Sequence, residues 1–136
     1  MKYEKSCGAV CFLKTGKDLR VLLVCHKYGG HWAYPKGHVE KDETEEETAH
    51  REVLEETGIP IKIIPGLRRI SSYSPAKNVI KEVVYFVAEA LEEAVTPQPE
   101  EIRAAEFVKV EDAAKRLTYA ADRELLKSAK LFLENC

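Results

Sequence analysis

Apolar residues in this chain gather into short, β-branched runs set apart by polar stretches rich in Gly and Pro. Ser6–Leu13 (SCGAVCFL) and Leu19–His26 (LRVLLVCH) read as strands, and Lys14–Asp18, with Gly16, reads as the hairpin connection between them. Tyr28–Pro35 is a Gly- and aromatic-rich loop. From Thr44 to Thr57 the pattern lengthens to a 3.6-residue period and predicts a helix, with Gly58 as its C′ residue and Pro60 preventing continuation. Ala49, Val53 and Leu54 supply its apolar contacts. Ile61–Arg69 predicts a strand broken at Pro65–Gly66, Ser71–Asn78 a polar loop, and Lys81–Ala90 (KEVVYFVAEA) the central strand. Leu91–Glu100, carrying Pro97 and Pro99, reads as low-order chain. A short strand, Ala104–Val110, and two helices, Val110–Leu117 and Ala120–Leu133, complete the pattern.

Strands before and after one central helix, with helical cover at the C-terminal end, imply an α/β domain whose mixed sheet packs between helices. At 136 residues the chain makes one domain with a substantial core. A formal charge of -2 argues against a general nucleic-acid binder. No apolar run approaches the roughly 20 residues of a membrane helix. The opening MKYEKSCGAVCFLK is charged where a secretory leader is apolar. Cys7, Cys11, Cys25 and Cys136 form no CxxC pair, and three lie in or beside strand-like runs, which suits a reducing cytoplasm.

Candidate chemistry concentrates on the central helix. Glu52, Glu55 and Glu56 are three and four residues apart, so their carboxylates crowd one side of it. Such spacing destabilises an isolated helix by a few tenths of a kcal/mol per pair and invites a cation. Oxygen-only ligands favour Mg²⁺ or Mn²⁺ over zinc. Arg51, among the acids, can hold one of them by charge-assisted hydrogen bonds. A solvated glutamate face is the alternative for an isolated ExxEE; the wider spacing here is more demanding. Gly37, five residues, Glu43, seven residues, then Arg51-Glu52-Val53-x-Glu55-Glu56-x-Gly58-Ile59 fix nine positions together.

That string resembles the Nudix box. The resemblance implies an α/β/α sandwich with the box as loop–helix–loop, and metal-dependent cleavage of a phosphoanhydride by water. It implies that Glu52, Glu55 and Glu56, with the Gly37 carbonyl, are the magnesium ligands. One of the acids would serve as the base, Arg51 would orient, and Glu43 would be its partner or an outer-sphere metal contact. Glu101, just before the strand Ala104–Val110, stands where many Nudix enzymes carry a further metal ligand or base; Glu100 is its neighbour. Glycine at position 37 suits a close approach of backbone to metal or a positive φ.

Within that family, Pro35-Lys36-Gly37-His38-Val39-Glu40 looks like the asymmetrical diadenosine tetraphosphate hydrolases, which yield ATP and AMP. Lys36 offers an ammonium to a long polyphosphate, and His31 is a second candidate phosphate contact. Arg68-Arg69-Ile70-Ser71-Ser72-Tyr73, then Lys77 and Lys81, then Tyr85, have a comparable order of basic and aromatic residues. Tyr119 falls near that group's adenine-stacking aromatic. Tyr73, Tyr85 and Tyr119 can each pack or stack a base. Trp32 suits packing beneath the loop. Two departures are Tyr34, where animal members have proline, and a short Lys14–Asp18 loop. The resemblance thus implies a nucleotide or dinucleoside polyphosphate partner. Other Nudix pyrophosphohydrolases (acting on nucleoside triphosphates, RNA 5′ ends or diphosphoinositol phosphates) are the alternative. A Nudix-fold binding module without catalysis is a third reading, which loss of a box acid or the arginine would favour; none is lost.

Overall fold

The computed structural model describes all 136 residues. Its elements run β1 (Lys2–Thr15), β2 (Asp18–His26), β3 (Trp32–Ala33), β4 (Lys36–His38), α1 (Glu45–Thr57), β5 (Ile61–Ala76), β6 (Val79–Ala90), β7 (Ile102–Lys109), α2 (Val110–Arg116) and α3 (Ala120–Glu134). The sheet has the path β3-β2-β1-β6-β5, with β4 also paired to β1 and β7 to β2. β1 and β6 are parallel from Lys2↔Val79 to Phe12↔Glu89, and the other pairings are antiparallel.

Strand alternation sorts the core into two layers. Cys7, Ala9 and Cys11, with Val84, Phe86 and Ala88, pack with Ala49 and Val53 of α1. Val10, Phe12, Val83, Tyr85 and Val87 face the other way, among Val110, Ala113, Leu117, Leu126 and Ala129 of α2 and α3 and the segment joining them. The result is the expected mixed sheet between helices. Cys7, Cys11 and Cys25 are free and buried, behaving as small hydrophobes, whereas Cys136 is exposed. No helix is long and apolar enough to cross a membrane.

Four local expectations change. Ser71–Asn78 is largely strand rather than loop: β5 continues to Ala76, and Lys77–Asn78 turn the chain back, with Asn78 at φ 62. Its side chains are mostly exposed because this ribbon projects past the helices, so ladder hydrogen bonds, not burial, hold it. The Pro65–Gly66 break is a bulge between Ile64 and Arg68 within one strand, where Gly66 adopts φ 122. The loop Tyr28–Pro35 contains β3, whose Trp32 and Ala33 pair with Cys25 and Val24. Leu54 is half exposed, so Ala49 and Val53, not Leu54, anchor the helix.

Candidate active site

The box helix starts with both halves of a capping box. Thr44 accepts from the Glu47 N–H (3.1 Å), and Glu47 accepts from the Thr44 N–H (2.9 Å). Gly58 ends α1 at φ 75, donating its N–H to the Leu54 carbonyl. Between these fixed ends, Glu52 and Glu56 turn toward β4. A Cβ at Gly37 would overlap the Glu52 carboxylate. Gly37 is therefore glycine for close approach; its φ is not positive.

Arg51 organises the acids. Its Nε donates to Glu43 Oε2 (2.6 Å) and its Nη2 to Glu43 Oε1 (2.9 Å), a planar two-point grip. Nη1 donates to Glu52 Oε1 at 2.6 Å and, more weakly, to Glu55 at 3.3 Å, while Nη2 also reaches the His38 carbonyl at 2.9 Å. Glu43 also accepts from the Glu40 N–H and the Thr48 hydroxyl. The guanidinium, helped by these donors, holds the Glu43 carboxyl down at about 2.

Glu56 has a different environment. It is 5% exposed, and its Oε1 accepts the Lys36 N–H at 3.1 Å. Burial pushes its pKa up to about 8, with the charges of Glu52 and Glu101 adding to the rise. Burial raises Glu52 as well, against the pull of Arg51. Glu101 thus lies close enough for its charge to act on both helix acids. The Leu91–Glu100 chain explains how: Thr96 N–H donates to the Thr57 carbonyl and Gln98 N–H to the Glu56 carbonyl, strapping the segment to the end of α1.

The acids do not form a ready-made three-ligand cage. Glu52 is turned to Arg51, and Glu55 is exposed. The donor set still fits a hard divalent cation, being all oxygen on a rigid helix beside a glycine backbone. A buried carboxylate protonated near neutrality beside two more acids is also what a missing counter-charge produces.

The candidate substrate residues divide into three groups. Lys36, Gly8, Tyr85 and Arg69 form one transverse row over β4, β1, β6 and β5, and a Cβ on Gly8 would meet the Lys36 side chain. Burial lowers the Lys36 pKa, opposed by Glu56, with the nearby Lys81 lowering it further. Lys81 is paired with Glu4 at 3.4 Å and lies opposite Tyr73, a residue 47% exposed. His31 forms a second group: its ring stacks on His26 at 4.1 Å and meets Tyr119 at 5.7 Å, and Tyr119 is half exposed. Lys77 joins neither, and Tyr85 enters the first only as a buried ring. Tyr85 is buried edge-on against Tyr34, and Lys77 sits at the hairpin tip. Trp32 packs under the Arg116 guanidinium at 4.8 Å.

Two neighbours of these groups were not among the expected site residues. Asp122, in the first turn of α3, is 8% exposed. Its spacing to Leu126 and Ala129 puts it on the helix's buried stripe, a signal present in the sequence. His26 has a buried Nε2 without a hydrogen-bond partner; a histidine ending an apolar strand gives no comparable sign. A groove of about 830 Å³ beside Glu46 and His50 of α1 includes none of the box acids.

Residues 4–129 match the NUDIX domain, covering nearly the whole chain. The protein belongs to the NUDIX family. This NUDIX domain is 31% identical to the asymmetrical bis(5′-nucleosyl)-tetraphosphatase of Caenorhabditis elegans, across 95% of its own length and 96% of that protein's. Against the mouse protein of the same description identity is 38%, over 62% of this chain and 64% of the relative. The first four relatives are spanned by this NUDIX domain over only 40% to 64% of their lengths. In structure it is similar to a C. elegans Ap4A hydrolase in a binary complex, with TM-score 0.88, 30% identity, and coverage of 98% of this chain and 99% of the other. The NUDIX domain of Shewanella oneidensis NrtR, solved with ADP ribose, shares the fold at TM-score 0.80 and 20% identity, covering 98% and 90%.

Proposed function

We propose that this NUDIX domain is a divalent-metal-dependent hydrolase of phosphoanhydrides. We assign it a bis(5′-nucleosyl)-tetraphosphate as preferred substrate, with diadenosine tetraphosphate giving ATP and AMP. One observation carries the reading: beside the box acids stands Lys36, whose backbone N–H is held by Glu56 while its ammonium has no hydrogen-bond or ion-pair partner, with Lys81 close enough for their charges to interact. Two cations there suit a phosphate chain longer than the part held at the helix. The likeness to the C. elegans tetraphosphatase over nearly the full length of both chains supports the same choice.

Glu52, Glu55 and Glu56, with the Gly37 carbonyl and Glu101, would hold Mg²⁺ or Mn²⁺. When bound, the ion neutralises phosphate oxygens and acidifies the attacking water. The protein's own contributions are positional. Arg51, fixed by Glu43, sets the Glu52 carboxylate beside Gly37. A box glutamate accepts the proton of the water. Lys36 and His31 receive phosphate oxygens, Lys81 extends the cationic path, and Tyr73 and Tyr119 offer exposed rings to bases, a contact worth roughly 1–3 kcal/mol each.

The decisive measurement is a chromatographic product profile with magnesium. Its substrates are diadenosine tetraphosphate, dGTP, triphosphorylated RNA and a diphosphoinositol phosphate. ATP plus AMP from the first, at the highest kcat/KM, is expected. Faster turnover of any other substrate would replace this assignment, and no turnover of any would favour a binding module.

A further inference from the structure

Beside the box, Asp122 presents a carboxylate that the protein leaves without a partner. It is 8% exposed, yet only its backbone is engaged: its N–H donates to the Tyr119 carbonyl at 3.1 Å, and its carbonyl accepts from the Tyr34 hydroxyl at 2.6 Å. An acid in the first turn of a helix ordinarily serves the dipole or caps the helix start from the surface. Here the N-cap, Tyr119, makes no side-chain cap hydrogen bond, and Asp122 lies inside. It lines a cavity of about 280 Å³ with Arg69, Ser71, Tyr85, Glu124 and Ser128. Tyr85 and Arg69 belong to the transverse row that begins at Lys36. The opposing charges of Lys36 and Asp122 act on one another, so the cavity borders the cationic path.

With no partner inside the protein, the carboxylate opens onto this cavity, where the donors of a ligand can meet it. The cavity falls below the roughly 300–1,000 Å³ that encloses a drug-sized molecule. It suits a sugar-sized group. Serine hydroxyls and a guanidinium around a carboxylate match a neutral polyol, and a carboxylate's two oxygens can accept from adjacent hydroxyls.

We propose that Asp122 is a specificity-determining residue of a nucleoside subsite, its carboxylate accepting hydrogen bonds from neutral donors on the substrate. The vicinal hydroxyls of the ribose are the first source of such donors, and the exocyclic amine of the base is the other. This assignment rests on the nucleotide reading given above and deepens it. Burial raises the Asp122 pKa to about 6, with the charges of Lys36 and Arg123 opposing the rise.

Equilibrium titration with magnesium tests the subsite without turnover. The ligands are methylene-bridged ATP, its 2′-deoxy and inosine counterparts, and methylenediphosphonate as a probe lacking a nucleoside. In the wild-type protein, methylene-bridged ATP should bind at least about tenfold tighter than one counterpart, or about 1.4 kcal/mol. Loss on the 2′-deoxy ligand identifies the ribose as the donor, and loss on the inosine ligand identifies the base. D122A should erase that discrimination and weaken the parent ligand by a similar factor, with methylenediphosphonate unaffected. D122N, which keeps the volume, should retain the wild-type melting temperature or exceed it while also losing discrimination. Wild-type discrimination surviving in both variants, or equal weakening of methylenediphosphonate, would overturn the proposal while leaving the hydrolase reading intact. A wild-type protein that binds none of the nucleoside ligands would remove the hydrolase reading, and the subsite with it.

Discussion

Arg51 and Glu43 lie eight residues apart and meet through two parallel hydrogen bonds, Nε–Oε2 at 2.6 Å and Nη2–Oε1 at 2.9 Å. The grip fixes the guanidinium plane and aims its remaining nitrogen at Glu52. Lysine cannot reproduce that fork. R51K is therefore expected to lower kcat with KM nearly unchanged, and E43Q should produce the same signature more mildly. Steady-state kinetics on the preferred substrate checks both. A variant whose only defect is a raised KM would move Arg51 to the phosphate chain.

Gly37 and Glu52 define a second test. Because a Cβ at position 37 would overlap the Glu52 carboxylate, G37A must push that side chain out of its place or shift β4. Overpacking of this kind commonly costs about 1–3 kcal/mol. We expect a lower melting temperature and a kcat reduced by at least about tenfold, or about 1.4 kcal/mol. Wild-type values for both would show that Glu52 is free to move.

Glu55→Gln and Glu56→Gln are each expected to lower kcat by at least about 10²-fold, since a ligand carboxylate acts on transition-state charge through its metal. Near-normal turnover of both variants at saturating magnesium would rule out this metal site.

Stability should separate Glu56 from Glu55. The Glu56 pKa is about 8 in the folded metal-free chain, against an ordinary value of 4.5. Between these values the folded state holds a proton that the unfolded state has lost. Metal-free stability therefore falls as pH rises from about 4.5 through 8, by about 1–4 kcal/mol. Asp122, raised to about 6, adds to the fall at the acidic end of this window. E56Q should flatten most of the slope, and magnesium should stabilise the wild type more at pH 8 than at pH 6. Denaturant titrations at both pH values, with and without metal, supply the check; a wild-type slope of the opposite sign would refute the assignment.

Substrate length is the sharpest functional test. We expect kcat/KM for diadenosine tetraphosphate to exceed that for ATP or dGTP by at least about 10²-fold, or about 2.7 kcal/mol. K36A should shrink that preference more than it slows the short substrates. Equal efficiencies, insensitive to K36A, would leave a generic hydrolase.

The sandwich and the box helix were legible because burial and spacing both leave marks in the sequence. The helix from Thr44 to Thr57 emerged from periodicity and from Gly58, and the structure shifts its start by one residue, to place Thr44 as cap. The Ser71–Ala76 half of β5 was hidden: a strand without a buried face has no alternation to display, and only ladder pairing reveals it. Asp122 was legible only in part. Its spacing to Leu126 and Ala129 puts it on the apolar stripe of α3, but how deeply that stripe docks depends on partners far away in sequence. The separation of Lys77 from Lys36 likewise follows from the length of the ribbon. Composition does not encode that length.

The strap from Thr96 to Gln98 has a consequence for how the site is lost. Two of the last carbonyls of α1 are satisfied only through that strap, which also delivers Glu101 to the helix acids. Melting the strap would fray the end of α1 and withdraw an acid in one cooperative step, while the ladders of the sheet stayed closed. In hydrogen exchange, the amides of Thr96, Gln98 and Gly58 should then share a single opening free energy, below that of β1 and β6. Heating would disarm such a protein several degrees before it unfolds.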